Sequence, residues 1–569
     1  MEEQPVPTHF DEGQTQAAGR WRDVALVALL LVFAVGLRGW LLTHTEVVAR
    51  DSIGYIRYAL EFESESWSTV LRNNHQHPGY PLTVLAVSAP VRAYGTGPAS
   101  ELMSLSARLA SNLAAVLLVI PMYFLGRLLF HRAVGFGASA LFQCLPVPAH
   151  VLSDGLSEAL FLLLACATLC FVVVAMRGSR PWLFALCGVF SGLAYLTRPE
   201  GALLAAATLF VLIGLKLMNV QQRSWRQIAT CGASMTLMAG IVSTPYLFAT
   251  HSISNKPSIH QMFRQDSPAA EVAPAGPQTG MTTSRLQPLL ASTFGITLNL
   301  QDTFGRRARQ AVVGLGGELV KCFHYFAWIA VLLGMWWFRR QAFTEPGMWV
   351  LLVLSGTYTL VLWWLAVHVG YMSDRHLLLL VMLGCYPAVA AVGELPKRCL
   401  TRWNQRLRSS EIGQPVEAPR HNWRTLAAAC AVFCIMVGGG LPKTLERLHA
   451  NRAGHHAAGL WLADNSAAVD LVEDDHCWAH YYAGRVFQER KTVTAPPGHV
   501  QMRYVVVGRR DREINLTWNR SGPLSEAKLR AEGGQIVYHW PAAQSSDDAP
   551  IVIYAVPPAP PPQPPPLPD

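Results

Sequence analysis

The sequence predicts an all-α polytopic membrane protein with long outer loops and a small C-terminal α/β soluble domain. Its 569 residues are 51% hydrophobic and only 15% charged, whereas soluble domains carry about 25% charged residues. Apolar runs of about 20 residues, the length needed to cross roughly 30 Å of hydrocarbon, recur through the first three quarters of the chain. These runs are continuous rather than alternating, which disfavours a spanning β-barrel.

The positive charge of the chain indicates its topology rather than a nucleic-acid partner. The net charge is +9, and many lysines and arginines stand in short gaps between apolar runs, where the positive-inside bias places them. The 11 cysteines include no Cys-x-x-Cys pair, and most of them lie within apolar runs. Zinc sites and disulfide frameworks need closer or paired spacing, so neither is predicted.

The length and apolarity of these runs predict about eleven transmembrane helices. A cytoplasmic tail of residues 1–22 precedes a transmembrane domain of residues 23–441. With the N-terminus inside, every inner connection is basic, and an odd number of spans places the C-terminal region outside. The apolar runs lie near residues 24–42, 105–126, 133–150, 156–176, 181–197, 200–219, 227–249, 322–338, 346–367, 376–394 and 424–441.

Two long outer loops and an outer domain complete the predicted organisation. The first outer loop spans residues 43–104, and the second spans residues 251–320. The second loop is either a lid or binding loop, or it is disordered. Residues 442–556 are predicted to form the soluble α/β domain, and the proline-rich tail 557–569 an extended polyproline helix. Short apolar segments predict strands at 503–508, 535–538 and 550–556, and residues 459–472 predict a helix.

Eight ionisable residues fall at the outer ends of the predicted spans. Charges at membrane depth are costly, and they usually mark a cavity or a substrate path. Their convergence on one face is a stronger signal than any one of them, and it predicts an active site on the outer face of the membrane. The eight are Asp51, His77, Asp154, Glu158, Arg198, Glu200, Asp374 and Arg375.

Three acidic residues are candidates for the chemistry of this site. Asp51 follows the outer end of the first span, where the dipole of that helix disfavours a carboxylate. A role as general base for an acceptor hydroxyl explains this position. Asp154 and Glu158 are spaced i, i+4 and share a face of the fourth span. The structural alternatives are a solvated loop acid for Asp51 and an ordinary helix N-cap for Asp154.

Two arginines at predicted helix starts form a candidate clamp for a lipid phosphate. Arg198 stands two residues before Glu200, and Arg375 opens the tenth predicted span. A cation at a helix N-terminus is unfavourable unless an anion joins it, and a phosphate held by the guanidinium and the free N–H groups resolves this conflict. The alternatives are internal ion pairs of Arg198 with Glu200 or Asp154, and of Arg375 with Asp374.

Further residues are predicted to bind substrate. Tyr55 and Arg57 stand at helical spacing after the acid of the first outer loop, and His77 and Tyr80 bracket a His-Pro-Gly-Tyr turn. Tyr371 stands just before the arginine of the tenth span. His77 can bind a metal or hydrogen-bond the substrate, and a turn histidine with neither role is the alternative.

The order of these motifs resembles the GT-C superfamily of integral membrane glycosyltransferases. More narrowly, it is similar to the branch of protein O-mannosyltransferases and bacterial lipid A aminoarabinose transferases. The shared order is a first span, an acid in a long first outer loop, a His-Pro turn, a second acidic site, residues 195–201 (Tyr-Leu-Thr-Arg-Pro-Glu-Gly) and a late span that opens with arginine. The resemblance covers about residues 20–400.

The resemblance implies a donor sugar that is carried on a polyprenyl phosphate. Asp51 matches the first-loop acid of the family, which serves as base or positions the acceptor, and Asp154 with Glu158 resembles the second acidic site. His77 occupies the His-Pro position.

Two motifs depart from the family. The acidic pair common in protein O-mannosyltransferases is Asp-Ser here, and the His-Lys-Pro-Pro form of some lipid A transferases is His-Pro-Gly here, without the lysine.

The predicted function is inverting transfer of a hexosyl or pentosyl group from a polyprenyl-phosphate donor to a hydroxyl acceptor, which is a glycolipid, glycan or protein of the cell envelope. The predicted location is the outer face of a bacterial inner (plasma) membrane. In the predicted mechanism, Asp51 acts as the base, and Arg198 and Arg375 stabilise the departing phosphate. No cofactor is required, although a divalent metal is left open. The alternative is a polytopic transporter or a flippase of lipid-linked sugars, for which midplane charges and inverted repeats would be typical.

Overall fold

The computed structural model describes residues 9–178, 180–220, 223–263, 296–408, 423–474, 476–488, 501–509 and 526–557. The start of the predicted cytoplasmic tail, the middle of the second outer loop and nearly all of the proline-rich tail lie outside the described residues.

The described chain is mainly helical. Its α-helices are α1 (His9–Thr43), α2 (Arg50–Ser64), α3 (Trp67–Asn73), α4 (Gly79–Tyr94), α5 (Ala99–Leu117), α6 (Val119–Leu129), α7 (Arg132–Cys144), α8 (Pro146–Val151), α9 (Glu158–Arg177), α10 (Pro181–Thr197), α11 (Ala202–Leu217), α12 (Trp225–Thr250), α13 (Pro257–Phe263), α14 (Phe304–Cys322), α15 (Ala327–Trp337), α16 (Arg339–Thr344), α17 (Pro346–Val369), α18 (Leu378–Arg408), α19 (Trp423–Thr444), α20 (Ala453–Asn465), α21 (Trp478–Tyr482) and α22 (Glu526–Ala531). Short 3₁₀ turns occur at Pro199–Gly201, Asp374–Leu377 and Ala450–Arg452. The strands are β1 (Ile296–Thr297), β2 (Tyr371–Met372), β3 (Leu471–Asp474), β4 (Arg503–Gly508), β5 (Gln535–Trp540) and β6 (Ile551–Val556).

The described chain contains eight helices that are long and apolar enough to cross a membrane. A ninth span results if α14 and α15, which meet at an angle of 106°, are counted as one. The protein is therefore a multi-pass membrane protein, as predicted, but the predicted count of eleven is not confirmed.

The predicted runs 133–150 and 181–197 explain most of this difference in count. The first is broken into α7 and α8, because Leu145 adopts an extended conformation ahead of Pro146. A proline disfavours the helical conformation of the residue before it, so an apolar run of spanning length becomes two short helices. The second run forms α10, whose 17 residues fall short of the length expected for a full span.

Glycines let α10 lie against α12 at close range. A Cβ atom on Gly188 would lie 2.2 Å from the carbonyl oxygen of Met235, and one on Gly192 would lie 2.8 Å from Val242. Helices within a membrane associate through such small residues, because lipid provides no hydrophobic driving force between them. This packing fixes the end of α10, from which Arg198 projects.

The helices of the first outer loop fold against the segment that follows the last span. Helix α2 buries Ile53 and Ile56 in a cluster that also holds Tyr80, Trp478 and Tyr481. The apolar face of α2 is thus part of a protein core, since its residues meet side chains from α4 and α21.

A four-stranded sheet forms the core of the C-terminal region. Its strand order is β3-β4-β6-β5, with β3 and β4 parallel and the other pairs antiparallel. Alternate residues of β4 face opposite sides, as the two-residue period of a strand requires. Val506 packs toward α20, and Val505 and Val507 pack with Leu529 of α22. The three predicted strands are present, and β3 was not predicted.

We predict that Gly188→Val lowers the thermal unfolding temperature of the purified protein by several degrees. The added side chain overlaps the α12 backbone, and overpacking of this kind costs about 1–3 kcal/mol. The matched control is Gly214→Val, because a Cβ atom on Gly214 meets no atom within 4 Å. Equal unfolding temperatures for the two variants would contradict the close α10–α12 contact.

Candidate active site

Five charged side chains from separate parts of the sequence meet at one end of the helical bundle. Arg198 lies between two carboxylates, 2.5 Å from Glu158 and 3.0 Å from Glu200. Arg375 contacts Asp51 at 2.5 Å, and its Nε atom lies 3.9 Å from Glu158. We call these five residues the charged cluster. All five were predicted from the sequence, and Glu158 links the two arginines.

Local backbone structure explains where the carboxylates of the charged cluster lie. Glu158 is the first residue of α9, and Asp51 lies in the first turn of α2. Both acids therefore lie near the positive end of a helix dipole. The expected dipole conflict for Asp51 at the end of the first span does not arise, because a new helix begins at Arg50.

The two arginines are paired with carboxylates of the protein. Arg198 forms the internal pair with Glu200 that was the alternative to a phosphate clamp, and Glu158 contacts its guanidinium as well. The guanidinium of Arg375 contacts Asp51, while Asp374 accepts hydrogen bonds at 2.8–2.9 Å from the Arg375 backbone N–H and the Ser373 hydroxyl. The clamp therefore consists of cations that carboxylates already orient.

Lys256 is a third cation beside the charged cluster, and the sequence analysis missed it. Its ammonium interacts electrostatically with both arginines and with Glu158 and Glu200. Burial lowers the pKa of Lys256 below its ordinary 10.5, while Glu200 opposes that change. None of the ion pairs within 4.0 Å among the described residues includes Lys256. Lys256 lies six residues beyond the end of α12, on the predicted outer side. A lysine there departs from the positive-inside bias, and this departure could have identified it from the sequence.

The ionisation of Asp51 is controlled by its partner. The Arg375 guanidinium holds the pKa of the Asp51 carboxyl below its ordinary value of 3.8, although burial acts in the opposite direction. The Asp51 side chain nevertheless keeps 42% of its surface exposed. Asp51 is therefore an ionised carboxylate that remains accessible.

His77 joins three segments around Lys256. One ring nitrogen lies 2.7 Å from the Tyr195 carbonyl oxygen, and the other lies 3.0 Å from the Ser254 hydroxyl. Burial lowers the pKa of His77 from 6.5 to about 3, so the ring is neutral at pH 7. With Nδ1–H donating to the carbonyl, Nε2 accepts from the hydroxyl. Both nitrogens are engaged by the protein, which is the arrangement of a positioning residue.

The other predicted substrate-binding residues differ in their hydrogen-bond partners and in what they contact. The buried Tyr55 hydroxyl lies 2.9 Å from Ser157, which precedes α9, and Tyr80 donates to the Ala107 carbonyl at 2.8 Å. Tyr371 is half-buried in β2, and its pKa is raised by burial. Arg57 donates to the Val486 carbonyl at 2.8 Å and so contacts the C-terminal region.

Asp154 interacts with the C-terminal region rather than with an arginine of the charged cluster. Its Oδ2 atom lies 2.8 Å from Nε2 of His449, which the sequence analysis did not single out. Burial alone would lower the pKa of His449, but the ion pair and hydrogen bond with Asp154 outweigh it and raise that pKa above 6.5. The buried Arg38 supports this site by donating to the Ser153 hydroxyl at 2.9 Å.

The described residues contain no group of three or more histidine, cysteine, aspartate or glutamate side chains arranged to hold a metal ion. Within that part of the chain, the acids of the charged cluster are oriented toward arginines.

The arrangement of the helices is similar to the GT-C fold of integral membrane glycosyltransferases. A family model described as dolichyl-phosphate-mannose-protein mannosyltransferase matches residues 99–246. No curated protein sequence matches the chain significantly.

Two solved structures illustrate the similarity of fold. ArnT from Cupriavidus metallidurans bound to undecaprenyl phosphate has a TM-score of 0.54 at 14% identity, over 93% of this chain and 97% of that one. The archaeal oligosaccharyltransferase AglB from Archaeoglobus fulgidus, in complex with an inhibitory peptide and a dolichol-phosphate, has a TM-score of 0.52 at 11% identity, over 85% and 62% of the two chains. The predicted GT-C resemblance is confirmed for the fold.

We predict that His449→Gln destabilises the protein more at pH 6 than at pH 9. The folded state raises the pKa of His449 above 6.5. The pair with Asp154 therefore stabilises fully below that value and is lost as pH rises through the folded pKa. Thermal unfolding of both proteins across this range measures the effect. A difference that does not shrink at high pH would show that the charge of His449 contributes nothing.

Proposed function

We propose that this protein is a membrane glycosyltransferase that moves a sugar from a polyprenyl-phosphate donor to a hydroxyl acceptor on the outer face of a bacterial inner membrane. The observation that carries the proposal is the accessible carboxylate of Asp51 in contact with Arg375, beside Arg198 and Lys256. A base and several cations at one membrane face are what attack on a sugar phosphate requires.

The three cations suit the phosphate of the donor. Arg375 and Arg198 belong to the charged cluster, and Lys256 interacts electrostatically with both. Arg198 is held by its two glutamates. A guanidinium binds two phosphate oxygens in its plane, whereas an ammonium acts as a compact point charge. ArnT and AglB, which share this fold, were solved with undecaprenyl phosphate and with a dolichol-phosphate, respectively. That agrees with a polyprenyl-phosphate donor here.

In the proposed reaction, Asp51 accepts the proton of the acceptor hydroxyl. The acceptor oxygen then forms a bond to the anomeric carbon, and the bond from that carbon to the phosphate oxygen breaks. The electron pair goes to the polyprenyl phosphate, whose growing charge the cations stabilise. Attack from the side opposite the leaving phosphate inverts the anomeric configuration.

Arg375 is proposed to couple donor binding to the basicity of Asp51. While the guanidinium contacts the carboxylate, the low pKa of Asp51 makes it a weak base. A donor phosphate that competes for Arg375 withdraws part of that positive charge. The pKa of Asp51 then rises toward its ordinary value, so the carboxylate becomes a better base when the sugar phosphate is in place.

We expect Asp51→Asn to lower kcat/KM for sugar transfer by at least 100-fold, the scale of a lost general base. Transfer from a radiolabelled polyprenyl-phosphate sugar in membranes is the assay, and donor binding should persist. The matched control is Asp302→Asn, since Asp302 pairs with the exposed Arg306. Near-normal transfer by the Asp51 variant would contradict its role as base. Vectorial movement of the lipid without any glycosyl product would instead favour a flippase.

We expect Lys256→Met to weaken donor binding roughly 10-fold or more, since a hydrogen bond to a charged group contributes about 1.5–3 kcal/mol. This variant tests the clamp better than Arg198→Ala, which leaves two buried carboxylates without their cation. Such a loss costs about 3–5 kcal/mol of stability. Lys443→Met is the control, because Lys443 is exposed and pairs with Glu446. Unchanged donor affinity would remove Lys256 from the proposed phosphate site.

A further inference from the structure

Two apolar grooves lie side by side at the end of the bundle opposite the charged cluster. Helix α9 runs from Glu158 in the cluster to Arg177 beside the grooves, and its 20 residues span about 30 Å. One groove, of about 480 Å³, lies mainly along α1. The other, of about 820 Å³, lies between α6, α9 and α10.

The two grooves meet at Phe124 and Arg127, which line both of them. Otherwise their walls are largely aliphatic and aromatic, with Ala28 and Leu31 in the smaller groove and Ala167 in the larger one. Two adjoining apolar grooves that share one aromatic side chain suit the two acyl chains of a single lipid. A single-chain ligand would fill only one of them.

The ends of the grooves near the membrane surface carry a surplus of positive charge. Arg20 and Arg127 line the smaller groove, Arg177 lines the larger one, and Arg132 lies beside them through its bond to Asp23. The described acids that pair with these arginines are Asp23, with Arg127 and Arg132, and Glu345, with Arg177. Because these four arginines pair with only two acids, this end of the grooves carries a net positive charge.

These arginines remain available to a ligand. Arg127 and Arg177 keep 39% and 43% of their side-chain surface exposed despite their ion pairs, and Arg20 is exposed. Basic pockets between transmembrane helices on the cytoplasmic side are typical binding sites for anionic lipid head groups. The positive-inside bias places this end of the bundle at the cytoplasmic leaflet.

We propose that the two grooves bind one anionic diacyl phospholipid of the cytoplasmic leaflet. Its acyl chains lie on either side of Phe124, and its phosphate group contacts Arg20 and Arg127. The site is separate from the charged cluster and needs no sugar transfer.

The test compares phosphatidylglycerol with phosphatidylcholine of the same acyl chains, added to the purified full-length protein in detergent. Thermal unfolding and native mass spectrometry report binding. We expect phosphatidylglycerol to raise the unfolding temperature more than phosphatidylcholine and to remain attached as a one-to-one adduct. Equal effects of the two lipids would overturn the proposal, because they would indicate an ordinary lipid-facing surface.

Two matched pairs of variants locate the site. Arg20→Gln should weaken phosphatidylglycerol binding about five-fold, which corresponds to ~1 kcal/mol for one arginine near an anionic surface. Arg22→Gln, at an exposed arginine that lines neither groove, should not. Ala28→Trp should fill the smaller groove and displace the lipid, whereas Ala25→Trp, at an exposed position outside the groove, should retain it. Identical behaviour within both pairs would overturn the proposal.

Discussion

The buried ion pairs around Arg198 are the interaction on which the rest of the site depends. A guanidinium that is 7% exposed lies between Glu158 and Glu200, whose side chains are 4% and 15% exposed. Removing such charges from water is costly, and only close contact with a partner compensates for that cost. The end of α10 and the start of α9 must therefore stay together. The close packing of α10 glycines against α12 fixes the end of α10. Arg375, in the 3₁₀ turn that precedes α18, reaches Glu158 as well.

The part of the site that holds Asp51 depends on a different set of contacts. Helix α2, which carries Asp51, is held on its apolar face by Tyr80 and by residues of α21. The Trp478 indole N–H donates to the Val48 carbonyl at 2.8 Å, three residues before Asp51. The C-terminal region is thus part of the support of the first outer loop. A role for this region in recognising the acceptor would have to be compatible with that packing.

Sequence reasoning identified the members of the charged cluster because charges at the ends of apolar runs are rare and costly. It predicted less well which of these and other polar residues contact one another. Arg57 was predicted to bind substrate, yet it contacts Val486. Asp154 pairs with His449, which is 295 positions away in the sequence. Hydrophobic periodicity carries no information about which distant segments meet. The predicted span count was not confirmed, in part for a local reason: hydropathy averages over Leu145 and Pro146, where the helix is interrupted.

The proposed sharing of Arg375 between a carboxylate and a phosphate is consistent with the balance of charges at the site. Among the charged cluster and Lys256, the three carboxylates Asp51, Glu158 and Glu200 match the three cations in number. A phosphodiester adds negative charge and competes with the carboxylates for their cations. The carboxylate most readily displaced is the one with the greatest exposure. That is Asp51, at 42%, whereas Glu158 is only 4% exposed. In the proposed reaction, this difference in exposure selects Asp51 as the acid that acts on the acceptor and leaves Glu158 to hold the arginines.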